Sequence, residues 1–408
     1  MLEREASRFV CARRIAVVLS GLLAIFSFLV GASEQAWSQT YKVIHNFTAK
    51  GKDGATPYAG PILDAQGNLL GTTYLGGGFG GGAVYKLTPN GSAWTYSTLY
   101  SLKNIPDGAG PAFGSLALGA NHALLGTTEG GGFFGTAFMV CACASREVVV
   151  HSFGTGTDGA EPIGGLVFDS AGNFYGTTLL GGDSGNGTVF EGKRSQQGWT
   201  ESVIYSFTGG TDAVNPVSGV SVDTQGNLYG TAPAGGTNGV GAIYKLSRSG
   251  SKWTETVLYS FQGLDDGQNP VGGVIVDKGG NLYGTTFDGG TNGGGTVYQL
   301  SPSSGGWNFT VLYGFTGGYG GPYNKLTFDA QGNLYGVTNG DGANGLGAVF
   351  KLSPDNTGWT LTDLHDFAGG DDGASPYGSV AVDTQGNVFG TAAVGGSDNQ
   401  GLVFEITP

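Results

Sequence analysis

Four histidines, two series of aspartates and three stray acids hold most of the acid–base and metal-binding chemistry this chain can offer. His45, His151 and His365 each stand two residues before a recurring phenylalanine, at Phe47, Phe153 and Phe367. In the other copies of that segment the same position is Tyr100, Tyr205, Tyr259 or Tyr313. An imidazole that exchanges with a phenol is expected to pack, with a polar edge. Metal ligation needs several donors on one ion, and these three histidines belong to different copies. His122 falls in a turn and is expected to be exposed. One aspartate series (Asp64, Asp169, Asp223, Asp277, Asp329, Asp383) precedes a Gly-Asn pair and reads as turn capping. The second series (Asp53, Asp107, Asp158, Asp212, Asp266, Asp372) lies four residues before a proline, and a turn role accounts for it too. A calcium site there would need one aspartate plus local carbonyls, because copies cannot share ligands held at about 2.3–2.6 Å. Glu129, Asp288 and Asp341 do not repeat. A pair of such acids could cleave a glycan by acid–base catalysis, but no two are paired by the sequence. G-x-S-x-G, H-E-x-x-H and P-loop motifs are absent. No catalytic residue, metal or cofactor is assigned.

The elements that carry these residues repeat. Phe153, Phe207, Phe261 and Phe315 follow one another at intervals of 54 residues, and Leu102 takes the place of the phenylalanine in the second of seven copies. Each copy opens with a proline: Pro57, Pro111, Pro162, Pro216, Pro270, Pro322 and Pro376. Each also keeps a glycine inside its second apolar segment, as in Gly71, Gly230 and Gly390. The best-formed copy, residues 258–311, contains four short strand candidates. The D-x-x-G-N link between the first two is a tight hairpin signal. Four antiparallel strands repeated radially make the blades of a propeller, so the expected fold is an all-β, seven-bladed β-propeller. The last copy ends at Pro408 after its third strand, while residues 40–47 form a fourth strand without the preceding three. The two fragments are expected to complete one blade and close the ring, removing two exposed sheet edges.

In this fold the link that enters each blade and the loop after its second strand emerge on one face. The residue just beyond each opening proline, or two beyond it in the second copy, then lies near the axis. Those residues are Tyr58, Phe113, Ile163, Val217, Val271, Tyr323 and Tyr377. The aromatic ones belong to copies six, seven, one and two, which are contiguous in a closed ring, and Tyr74, Phe79, Phe133, Phe134 and Tyr319 fall in loops of the same sector. Rings at a concave entrance stack on sugars or anchor peptides. Tyr58, Phe113, Tyr323 and Tyr377 are therefore the candidate ligand-binding residues, with Asp53, Asp107 and Asp372 as polar partners.

The first 38 residues read as a signal peptide: Arg8, Arg13 and Arg14, an apolar stretch from Ile15 to Val30, and small Ala36 and Ser38 before a cleavage point. The propeller domain is then 39–408. No second apolar stretch follows, so no membrane span is expected in the mature chain. Cys141 and Cys143 are one residue apart, near the limit of disulfide reach, and either a strained bridge or two thiols is compatible with the spacing. Net charge is −13 without a basic cluster beyond the N-terminus, which excludes nucleic acid as a partner. The 81 glycines accompany 39% hydrophobic residues, enough to bury a core, so they are turn and close-contact residues rather than a sign of disorder.

The pattern F-T-G-G-x-D-G-x-x-P, D-x-x-G-N-L-Y-G-T-T and G-G-x-x-G-x-G-x-V-F-K-L resembles the GloVer-type repeat of choice-of-anchor tandem-repeat proteins, over residues 41–408. The D-x-x-G-N turn alone is similar to NHL-type propellers. The resemblance implies a bacterial surface or secreted protein and no particular activity. No anchor follows Pro408, so secretion without attachment is expected. The reading is an extracytoplasmic, monomeric binding or scaffold module whose partner is a polysaccharide or a surface protein. The competing reading is a polysaccharide hydrolase or lyase with its site over the axis.

Overall fold

A computed structural model describes residues 39–141, 146–154, 156–196, 198–316, 320–356 and 358–408. The signal-peptide segment, Cys143 and Tyr319 lie outside the described residues. Seven four-stranded antiparallel sheets form the blades, and the repeat boundaries are those of the sequence pattern. Blade 4 is typical, with Ser221–Val222 innermost, then Leu228–Ala232, Ala242–Ser249 and Lys252–Ser260 outermost. Blade 7 takes its inner three strands from Ala381–Val382, Val388–Ala392 and Leu402–Thr407. Its outer strand is Thr40–Asn46, and Phe47 N–H bonds the Gly401 carbonyl at 3.0 Å, so the N-terminal strand closes the ring.

The recurring phenylalanines form the core: Phe47, Phe207, Phe261 and Phe367 are completely buried, as is Leu102 in their place. Full burial of such a side chain contributes roughly 1.5–3 kcal/mol. The glycine in each second strand has a steric cause. A Cβ at Gly230 would lie 2.3 Å from the Tyr244 hydroxyl of the neighbouring strand, and one at Gly390 would lie 2.3 Å from the Phe404 ring. The hairpin aspartates cap as expected. Asp223 Oδ1 accepts from Gln225 and Asn227 N–H at 2.8 and 2.9 Å, and Asp277 does the same for Gly279 and Asn281.

The link entering each blade runs beside the loop that follows the blade's second strand. Gly54–Ala55 pairs with Leu75–Gly76, and Ala213–Val214 with Ala234–Gly235. In five copies the residue before the proline has a left-handed backbone: Thr56, Glu161, Asn215, Asn269 and Ser375, at φ of 52–56°. Such a conformation costs on the order of 1 kcal/mol or more in a non-glycine residue. Here it turns the link so that the residue after the proline approaches the axis. Cys141 is disulfide-bonded, so it is not a free thiol.

Candidate functional site

Tyr58, Phe113, Tyr323 and Tyr377 meet at one end of the axis. Ring centroids are 5.4 Å apart for Tyr58–Phe113, Tyr58–Tyr377 and Tyr323–Tyr377, and 5.1 Å for Phe113–Tyr323. Blades 2 and 6 are three steps apart around the ring, so the last contact spans the axis. The four rings therefore form a cluster over the axis rather than a row along its rim. Each is partly exposed. With Tyr74, Ala112, Glu129 and Asn339 they line a depression of about 460 Å³. Phe79 and Phe133 are 58% and 90% exposed and stand outside it.

The polar partners differ from those expected. Asp53, Asp107 and Asp372 do not line the depression. Each is held in its own link. Asp53 Oδ2 accepts from Thr48 N–H at 2.9 Å and its Oδ1 lies 3.3 Å from His45 Nε2. Asp107 accepts from the Tyr100 hydroxyl. Asp372 lies 3.0 Å from His365 Nε2 and accepts from Ala368 N–H at 2.6 Å. These carboxylates fold the link instead of facing a ligand. The acid at the mouth is Glu129, one of the three that do not repeat. Burial, and then this carboxylate, hold the Tyr74 phenol above its usual range. Asp288 is engaged elsewhere, accepting from Asn269 Nδ2 at 2.7 Å.

Beneath the aromatic cluster lies an axial cavity of about 130 Å³, and Phe113 and Tyr323 line both spaces. Its wall holds two residues that sequence reasoning missed, Asn324 and Lys325. The slot of Lys325 is Gly60, Gly165, Gly219 and Gly273 in four other copies and Ser379 in the seventh. The signal in the sequence is this break in the repeat, two residues beyond the aromatic position. Lys325 Nζ reaches the Val220 carbonyl of blade 4 at 3.4 Å. Burial brings its amine down to about 8. Asn324 Oδ1 accepts from Lys325 N–H at 2.7 Å and Ser379 Oγ at 3.1 Å, while its Nδ2 donates to the Phe113 carbonyl at 3.2 Å. Blades 2, 6 and 7 are tied together there.

At the rim, each histidine takes the place of the tyrosine, as the residue exchange implied. His151 Nε2 lies 3.0 Å from Asp158, as the Tyr205 hydroxyl lies 2.9 Å from Asp212. The neighbouring blade lays one side chain against this pair. It is Tyr96 stacked on His45 at 4.1 Å, Tyr41 on His365 at 3.7 Å and Phe309 on Tyr259 at 4.2 Å. At three consecutive seams it is a glutamate instead: Glu147, Glu201 and Glu255. Burial first, then Asp107, Asp158 and Asp212 respectively, push these carboxyls up to about 7, 8 and 7. His151, Asp158 and Glu201 bring one ligand atom each within 4.8 Å of one another, a convergence the separate histidine positions did not suggest. The same seam one blade on has Tyr205, Asp212 and Glu255, so blade packing builds this trio without calling on a metal.

Among curated proteins, none matches the chain. Solved structures similar to it include a gluconolactonase from Xanthomonas campestris, at 18% identity over 72% of this chain and 87% of that one, TM-score 0.44. A putative 6-phosphogluconolactonase from Bacteroides uniformis is 12% identical over 76% and 84%, TM-score 0.49. TolB from Acinetobacter baumannii is 16% identical over 67% and 60%, TM-score 0.37. The model of the Gloeobacter/Verrucomicrobia repeat matches residues 32–223, 134–317 and 218–408. Together these matches span residues 32–408, and the chain, whose repeats form seven blades, belongs to the Gloeobacter/Verrucomicrobia repeat family.

Proposed function

We propose that this propeller is an extracytoplasmic binding module that holds a glycan over its axis. The observation that carries the reading is the four-ring cluster of Tyr58, Phe113, Tyr323 and Tyr377, partly exposed and lining a depression. Stacked rings give a sugar a large apolar contact at small entropic cost. Glu129 and Asn339 beside them supply acceptors for sugar hydroxyls. The N-terminal segment, read as a signal peptide, supports the location. A glycan panel screened for both binding and product release tests this. Tyr58→Ala, Tyr323→Ala and Tyr377→Ala should each weaken binding by about 1–2 kcal/mol, as truncation of an aromatic anchor does. Val217→Ala, across the axis, should not. Equal losses at Val217 would remove the case, released product would favour the hydrolase or lyase reading, and binding of peptides alone would replace the glycan.

A further inference from the structure

We infer that the axial cavity below the aromatic cluster is an anion site, in which Lys325 takes the carboxylate of a small acid. Steric rules around the axis make this lysine exceptional. At its slot the blades meet backbone to backbone: a Cβ at Gly60 would lie 1.6 Å from the Ser379 carbonyl oxygen, and one at Gly219 1.8 Å from that of Gly165. Only blade 6 carries a long side chain there, and that side chain reaches past blade 5 to within 3.4 Å of Val220 O in blade 4. No carboxylate of the described residues lies within 4 Å of its ammonium. A half-buried cation without a counter-charge is costly, and an anion in the adjoining space offsets that cost. The other polar wall groups, from Ser115, Ser218, Asn324 and Ser379, are neutral. One cation among neutral groups balances a monoanion, which favours a carboxylate over a phosphate dianion. The volume of about 130 Å³ suits a carboxylate with a short stem. Such a group arrives either as a free acid or on an acidic sugar whose ring rests above, since Phe113 and Tyr323 are shared by both spaces.

The test is calorimetric titration of the mature chain with acetate, glucuronate and glucose at constant ionic strength. Acetate and glucuronate should bind, and Lys325→Met and Lys325→Gln should lose about tenfold or more for both, the effect of removing a charge-assisted hydrogen bond. Neither variant should melt below the parent, because each removes a half-buried charge, so lost binding will not be lost folding. Tyr58→Ala and Tyr377→Ala should weaken glucuronate and spare acetate if the acid comes on a sugar. Saturable carboxylate binding that survives unchanged in Lys325→Met would overturn the inference, as would its absence from the parent protein. Carboxylate binding that depends on Lys325, beside glycan binding indifferent to every aromatic variant, would leave the anion site standing and remove the glycan reading.

Discussion

The three glutamate seams should make the propeller more stable in mild acid than in mild base. Glu147, Glu201 and Glu255 sit at the seams between blades 1 and 2, 2 and 3, and 3 and 4. Each faces an aspartate of the preceding link, and their carboxyls are raised from 4.5 to about 7, 8 and 7. An unfolded chain releases these protons near pH 4.5, whereas the folded chain keeps them to about pH 7–8. In that window the native state binds more protons than the unfolded state, so stability falls as pH rises and levels off above about pH 8. A shift of this size corresponds to roughly 3–5 kcal/mol per group if taken whole. Water at the rim screens the seams, and on the order of 1 kcal/mol each is the expected remainder. Three sites then lower the melting temperature by about 3–6 °C between mildly acidic and mildly basic buffer. Calorimetric melts across that range, on the mature chain and on a Glu147→Gln, Glu201→Gln, Glu255→Gln variant, measure it. Glutamine imitates the protonated acid in size and polarity, so the triple variant should lose most of the slope. An unchanged slope would refute the assignment and leave the general repulsion of a chain of net charge −13 as its source.

Deleting residues 39–47 should cost several kcal/mol, because it strips the outer strand from blade 7 and removes fully buried Phe47, whose burial alone contributes roughly 1.5–3 kcal/mol; melting of the deleted chain at the parental temperature would contradict the closure. His151→Tyr should leave folding within about 0.5 kcal/mol of the parent, since a phenol already makes this contact in Tyr205–Asp212. Chemical denaturation of the purified variant checks it, and a large loss would show that the imidazole does more than fill the tyrosine slot.

Architecture was legible because every copy states it again. Seven prolines, seven second-strand glycines and the phenylalanine series state the number of blades in the sequence itself. The tyrosine–histidine exchange identified the imidazoles as packing groups, and the partner that both contact, the link aspartate, is what makes the exchange workable. The repeat said less about which side chains face which. The link aspartates were assigned to a ligand because they are charged and near the right face. In space Asp53 and Asp372 accept backbone N–H groups of their own links and Asp107 accepts the Tyr100 hydroxyl, and none of the three lines the depression. The glutamate seams were invisible for a related reason. Glu201 and His151 are fifty residues apart in sequence, and their meeting depends on how one blade lies against the next.

Where the copies agree, the agreement explains the scaffold; where one departs, packing no longer explains the residue. Glycine or serine at the axial slot lets neighbouring inner strands touch, and a side chain there must find room that the other blades do not provide. Blade 6 provides it for Lys325 and places Asn324 beside it, at the same blade whose entering link lacks the aspartate. An aromatic residue likewise lies one or two positions beyond the opening proline only in blades 6, 7, 1 and 2; in blades 3, 4 and 5, Ile163, Val217 and Val271 show that an aliphatic completes the fold equally well. The aromatic cluster and the lysine beneath it thus share one end of one axis and one sector of the ring. A structural requirement spread by the repeat would have appeared in every blade, so their confinement to this sector is the ground on which a ligand is proposed at this end of the axis.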